Sequence, residues 1–357
     1  MQAALIGLTQ SGKSKLFSAI TEGQEHAQAA AAHQADKAVV KVPDGRLGVL
    51  SEVYKPKKMT YATIEFLDLP GLSFLDESSR HEARRIIAQA RQSDMLTVVL
   101  RGFHDESVAA YRERIDPVKD LEELKNELLL ADLELIENRL EKLEAAVTKP
   151  TPHVEQDKQE LVLMRRFREA IDKLQPISEA VESPEQEKQV RSFGFLSLKP
   201  MLFVVNVDED KLDRPMEITT EQASGEVLTL SAKLEAELAV LEEQERGEFM
   251  EDMGIKEAAK DRLIKMCYKT LNLISFLTVV SGELRAWTVP AGCSAWEAAG
   301  AIHSDIQRGF IRAETVHWDD FTAAGDMKAA KAAGKVHLEG KTYQVQDGDI
   351  ISFRFNV

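Results

Sequence analysis

Apolar residues fall along this chain in three successive rhythms, each predicting a different kind of element. Short continuous runs come first: Ala3-Ala4-Leu5-Ile6, Tyr61 to Leu67 and Met95 to Leu100, joined later by Met201 to Val205 and Val227 to Leu230. Runs of that length predict buried strands, and Leu16, Phe17 and Ile20 lie on one face of a helix after the first. Strands alternating with helices predict an α/β fold with a mostly parallel sheet and ligands at its carboxyl edge. The rhythm then changes: Leu129, Leu133, Ile136, Leu140, Leu143 and Val147 recur at alternating four and three. After Lys149-Pro150-Thr151-Pro152 the stripe resumes at Leu161, Met164, Phe167, Ile171 and Leu174, which predicts an antiparallel coiled-coil hairpin.

A third unit closes the chain. Ile274 to Val279 and Arg285 to Val289 read as strands about a turn at Ser281-Gly282, and 294–305 reads as a helix. The stretch 335–345 reads as a hairpin about Glu339-Gly340, and 350–355 as a final strand after Asp347-Gly348-Asp349. That order is β-grasp. The domains expected are 1–117 and 191–273 for the sheet, 118–190 for the helical insertion and 274–357 for the β-grasp unit.

Composition narrows the picture. The 357 residues are too many for one ordinary core. A net charge of −15 argues against wholesale coating of nucleic acid, and Lys55, Lys57, Lys58, Arg84 and Arg85 read as scattered solubilising charges. The basic cluster at Arg165, Arg166 and Arg168 reads as a solvated face. Cys267 and Cys293 alone suggest a reducing compartment, each as a small buried hydrophobe. No apolar run reaches membrane-helix length, and the first strand begins almost at Met1, so the expectation is a cytoplasmic monomer without a membrane partner.

The chemistry is concentrated where strands end. Gly7-Leu8-Thr9-Gln10-Ser11-Gly12-Lys13-Ser14 fits G-x-x-x-x-G-K-[S/T] between a strand and a helix, the context that a phosphate-binding P-loop requires. Gly7 and Gly12 let the backbone curl, so the amides of Gln10, Ser11, Gly12 and Lys15 point at an anion beside the helix N-terminus. Lys13 would reach the β- and γ-phosphates, and the Ser14 hydroxyl would ligate Mg²⁺. Asp68-Leu69-Pro70-Gly71 ends the second strand as D-x-x-G, where Asp68 would hold Mg²⁺ through water and the Gly71 amide would sense the γ-phosphate. Leu72 stands where Ras-like enzymes carry the glutamine that orients water. At the base end, Asn206, Val207 and Glu209 give N-x-x-E in place of guanine-reading N-K-x-D, and Ser231-Ala232 follows the next strand. ATP and GTP both stay open as ligands.

With these residues laid out, the chain resembles the YchF or Obg-like ATPases, P-loop GTPase-like proteins with a C-terminal TGS domain. The resemblance runs end to end. It rests on the P-loop, on Asp68 to Gly71, the coiled coil and Asn206 to Glu209, and on Arg285 to Val289, Gly309 to Glu314 and Gln346 to Asp349 with Phe353-Arg354-Phe355-Asn356-Val357. It implies nucleotide binding with unusual ATP tolerance and association with ribosomes, RNA or stress responses. Three departures bear on mechanism. Gln10-Ser11 and Lys15 replace the family's usual P-loop residues, Ala32 falls where the switch threonine belongs with only His33 beside it, and 73–85 contains no glycine. A histidine that the family uses in hydrolysis aligns with Ala110. Two readings follow: a slow NTPase acting at the ribosome, or a catalytically weakened nucleotide-binding module that presents its coiled coil and TGS surface to a partner.

Overall fold

The computed structural model describes residues 1–21, 35–212, 218, 223, 225–280 and 282–356. Ala32, His33, Ser281 and Val357, singled out above, lie outside the described residues. In chain order the strands are β1 (Gln2–Ile6), β2 (Asp36–Lys41), β3 (Lys58–Thr60), β4 (Thr63–Asp68), β5 (Met95–Arg101), β6 (Met201–Asn206) and β7 (Glu226–Leu230). There follow β8 (Leu273–Val280), β9 (Glu283–Pro290), β10 (Phe310–Val316), β11 (His337–Glu339) and β12 (Ile350–Phe355). The chain forms two compact units, Met1–Ala38 with Phe66–Glu251, and Val39–Glu65 with Asp252–Val357.

In the first unit β1, β5, β6 and β7 lie side by side and parallel, with the Phe66–Asp68 end of β4 beyond β1. All seven residues of β5 are buried, as expected of a parallel strand covered on both faces. Helix α1 (Lys13–Ile20) packs Leu16, Phe17, Ala19 and Ile20 inward, and the Thr21 hydroxyl donates to the Phe17 carbonyl 2.9 Å away at its end. Helix α2 (Gly45–Tyr54) belongs to the other unit, and α3 (Glu77–Ala90) to this one.

The coiled coil is α4 (Pro117–Ala146) and α5 (Val154–Asp172). Leu129, Ile136, Leu140 and Leu143 meet Leu161, Met164, Phe167 and Ile171 in one core, as the heptad spacing predicts. Leu174 is the exception. It follows the end of α5 with φ 58° and is 72% exposed, because the helix has already stopped at Asp172. The middle of α4 is fixed by Asp132, which is fully buried. Its carboxylate accepts from Arg91 at 2.6 Å, from the amides of Leu196 and Ser197 at 3.0 and 2.8 Å, and from the Ser197 hydroxyl at 2.8 Å. With every lone pair engaged, a buried charge is tolerated.

The second unit carries, among the described residues, a six-stranded sheet in the order β11-β10-β12-β8-β9-β3. Phe276, Val289, Ala295, Ala299, Phe310 and Ile351 form its core, the β-grasp arrangement. Two details differ from the sequence pattern. The stretch 335–345 is not a hairpin: β11 stops at Glu339 and pairs with β10, while the Tyr343 amide turns back to the Gly340 carbonyl at 3.2 Å. The helix expected over 294–305 breaks at His303, whose φ of −164° is extended. Both cysteines are buried, and burial lifts the Cys293 thiol to about 11.

Candidate functional site

The P-loop hangs between β1 and α1 as the motif requires. Gly12 opens the helix with φ 88° and Gln10 holds φ 63°, two left-handed residues that turn the loop back on itself. A side chain at Gly12 would collide with Nδ2 of Asn206, and one at Gly7 with the Val99 carbonyl, so both positions admit only glycine. Lys13 is 5% exposed, and burial lowers its ammonium below the ordinary lysine value against the pull of Asp68. Ser14 and Lys15 are exposed at the first turn of α1. The Ser11 side chain is buried, and among the described residues no hydrogen-bond partner reaches its hydroxyl. A buried cation beside an unsatisfied donor suits an anionic ligand.

The D-x-x-G segment is stitched to this loop. The Thr9 amide donates to the Leu72 carbonyl at 2.8 Å, and the Leu72 amide to the Gly7 carbonyl at 2.9 Å. Gly71 lies against Thr9, where a Cβ would sit 2.8 Å from the Thr9 Cα. Asp68 is half-buried at the end of β4. Leu72 is 1% exposed and faces the core, so it does not meet solvent where a water-orienting group would stand.

Beyond Leu72 the chain is pinned. Phe74 is buried, and its amide donates to the Tyr111 hydroxyl at 3.2 Å, which donates on to Glu123 of α4 at 3.0 Å. Burial would lift the Glu123 carboxyl, but hydrogen bonds from Arg112 and Tyr111 hold it below its usual range. Asp76 and Ser79 close a capping box on α3, and Arg80 reaches Glu127 at 2.7 Å. Ala110 is half-buried just ahead of the 3₁₀ turn Tyr111–Glu113.

At and beyond the ends of β6 and β7 the five residues Asn206, Val207, Glu209, Ser231 and Ala232 converge, in a way that differs from a free reading group. Asn206 is buried: its Nδ2 donates to the Ser11 carbonyl at 3.2 Å, and its Oδ1 accepts from the Ala232 amide at 2.9 Å. Val207 is buried, with its amide on the Leu230 carbonyl. Ser231 caps the helix Ala232–Val240 through the Leu234 amide at 3.3 Å, and Glu209 pairs with Lys233 at 3.0 Å. Gln10, Gly12, Lys15, Asn206, Glu209 and Ser231 line one cavity of about 950 Å³ together with Phe103 and Val108. Arg101 and Phe103 have no signal in the sequence, since a charged residue closing an apolar strand carries no motif.

Two family models match the chain. Residues 2–139 fit one described as a 50S ribosome-binding GTPase. Residues 273–356 fit the YchF-GTPase C-terminal model, described as a protein of unknown function. The ribosome-binding ATPase YchF of Bacillus subtilis is 39% identical over 368 residues, covering all of both chains. Its namesakes in Haemophilus influenzae and Escherichia coli O157:H7 are 35% and 34% identical, each covering all of this chain and 99% of its own. The solved structure of the Schizosaccharomyces pombe YchF GTPase superposes with a TM-score of 0.85 at 27% identity, covering 99% of this chain and 97% of that one.

Proposed function

This chain belongs to the YchF family, and from that premise we propose that it binds ATP, or GTP as second choice, with Mg²⁺, hydrolyses it slowly and works as a cytoplasmic, monomeric ribosome-associated factor. One observation carries the reading. Lys13 is a buried ammonium at the mouth of a helix whose approach, Gly12, has room for no side chain. The loop amides and Lys13 would take the phosphates, and the cavity beside Asn206, Val207 and Glu209 would take the base.

For the metal, the Ser14 hydroxyl and Asp68 carboxylate are hard oxygen donors that suit Mg²⁺. Among the described residues no group of three or more His, Cys, Asp or Glu could hold a metal ion, so phosphate and water oxygens would complete its shell. Bound there, Mg²⁺ would neutralise charge developing on the bridging oxygens. Asp68 also lends negative charge near Lys13, which opposes part of the lowering that burial imposes on that ammonium. Leu72 and Ala110 offer no proton acceptor, which supports slow turnover; loss of a positioning group lowers rate by about 10²-fold.

The buried Leu72 and the pinned Phe74 favour the second reading to the same degree: a module that holds nucleotide and presents its coiled coil and TGS domain to a ribosomal or RNA partner. Calorimetry with ATP, GTP and their diphosphates, with and without Mg²⁺, tests the shared part of both readings. Binding that survives Lys13→Ala unchanged would sink it. Single-turnover hydrolysis no faster than the Lys13→Ala control would leave only the module.

A further inference from the structure

We infer that Arg101 is the positioning residue that fixes the 103–109 wall of the base cavity to the P-loop. This rests on the nucleotide site proposed above and adds to it a side chain that no motif marks. Arg101 closes β5, the strand between β1 and β6, and is 3% exposed. Its hydrogen bonds go to main-chain carbonyls rather than to a carboxylate: Val108 at 2.9 Å, Ala109 at 3.1 Å, Phe103 at 3.3 Å and, longest, Gln10 at 3.5 Å. The guanidinium also lies over the Phe103 ring, 4.4 Å from its centroid.

A guanidinium whose hydrogen bonds go to neutral carbonyls is costly to bury even with the charge of Asp105 acting on it from the same loop, so its geometry has to do something that a smaller apolar residue would not. Here it gathers three separate stretches. The planar fork reaches both ends of the loop 103–109, whose Phe103 and Val108 line the cavity, and touches the carbonyl of Gln10 where the P-loop is left-handed. Released from Arg101, the loop would lose its tie at both ends and the cavity the wall that Phe103 and Val108 supply. Lysine would keep the charge but could satisfy one carbonyl at a time.

The test compares ADP, which needs the wall, with inorganic pyrophosphate, which needs only the P-loop. Calorimetry on the full chain is expected to show ADP affinity lowered by about 10- to 100-fold in Arg101→Met, with pyrophosphate affinity within about threefold of wild type. Arg101→Lys is expected to fall between the two, and it serves as the readable variant if the methionine form does not fold. Wild-type ADP affinity in a folded Arg101→Lys protein would overturn the inference, as would equal losses for ADP and pyrophosphate. A wild-type chain that binds neither ligand would instead bring down the nucleotide site itself.

Discussion

Two loops leave neighbouring strands of the same sheet and are built in opposite ways. The loop after β1 leaves polar groups unspent: glycine is left-handed at Gly12, Ser14 is exposed, and the buried Ser11 hydroxyl has no hydrogen-bond partner among the described residues. The loop after β4 is filled. Leu72 and Phe74 go to the core, a tyrosine hydroxyl holds the Phe74 amide, and a capping box starts α3 at once. One is shaped to receive a ligand and the other to stay put. Binding and switching are therefore separable properties of this site, and the second has been given little freedom.

The largest expected effect lies in the first loop. Gly12→Ala places a Cβ against Asn206 at φ 88°, so ATP affinity by calorimetry is expected to fall by about 100-fold or more, and a melting curve reports whether the fold survives. Retained affinity would break the comparison at its open end. Leu72→Gln probes the closed end. An amide forced into that core is expected to lower unfolding free energy by about 2–3 kcal/mol in chemical denaturation while single-turnover hydrolysis does not rise. Faster turnover would show that the second loop can open after all.

A smaller change sharpens the contrast. Tyr111→Phe removes one oxygen and leaves the Phe74 amide without its acceptor, an expected loss of about 1–2 kcal/mol. Amide hydrogen exchange over 73–76 is expected to quicken in that variant, and exchange as slow as wild type's would mean that the hydroxyl is not the pin. An effect of the same size concerns pH. Burial, ahead of the opposing Arg114 charge, pushes the Asp120 carboxyl of α4 up to about 6. A raised carboxyl pKa favours the folded state only while the group is protonated. Its contribution is thus complete below about pH 4 and lost as pH rises through about 6, by about 1–2 kcal/mol after discounting for solvent screening. Unfolding free energy relative to Asp120→Asn, measured at both ends of that window, is expected to show this decline, and a flat difference would refute it.

Much of this arrangement could be read from the chain. The P-loop declares itself because glycine, lysine and serine sit at fixed local offsets, and the coiled coil because Leu129 to Leu143 repeat every turn or two. What stayed hidden depends on distance along the chain. Val39–Glu65 groups with the C-terminal segment, and β3 extends the β-grasp sheet beside β9, yet Lys58-Met59-Thr60 carries no trace of it. Leu174 kept the heptad rhythm past the point where its helix had ended. Arg101 reads as the stray end of an apolar strand until the fold brings Gln10 beside it, ninety-one positions away in sequence.

Asn206 has a consequence for anyone wishing to retune which purine this site accepts. Both ends of its amide are already committed as a rivet through the main chain of Ser11 and Ala232. Engineering at that position would unfasten the corner before it altered any preference. On the proposed reading, discrimination between nucleobases would then rest with the other side chains that line the cavity, Phe103 and Glu209 among them.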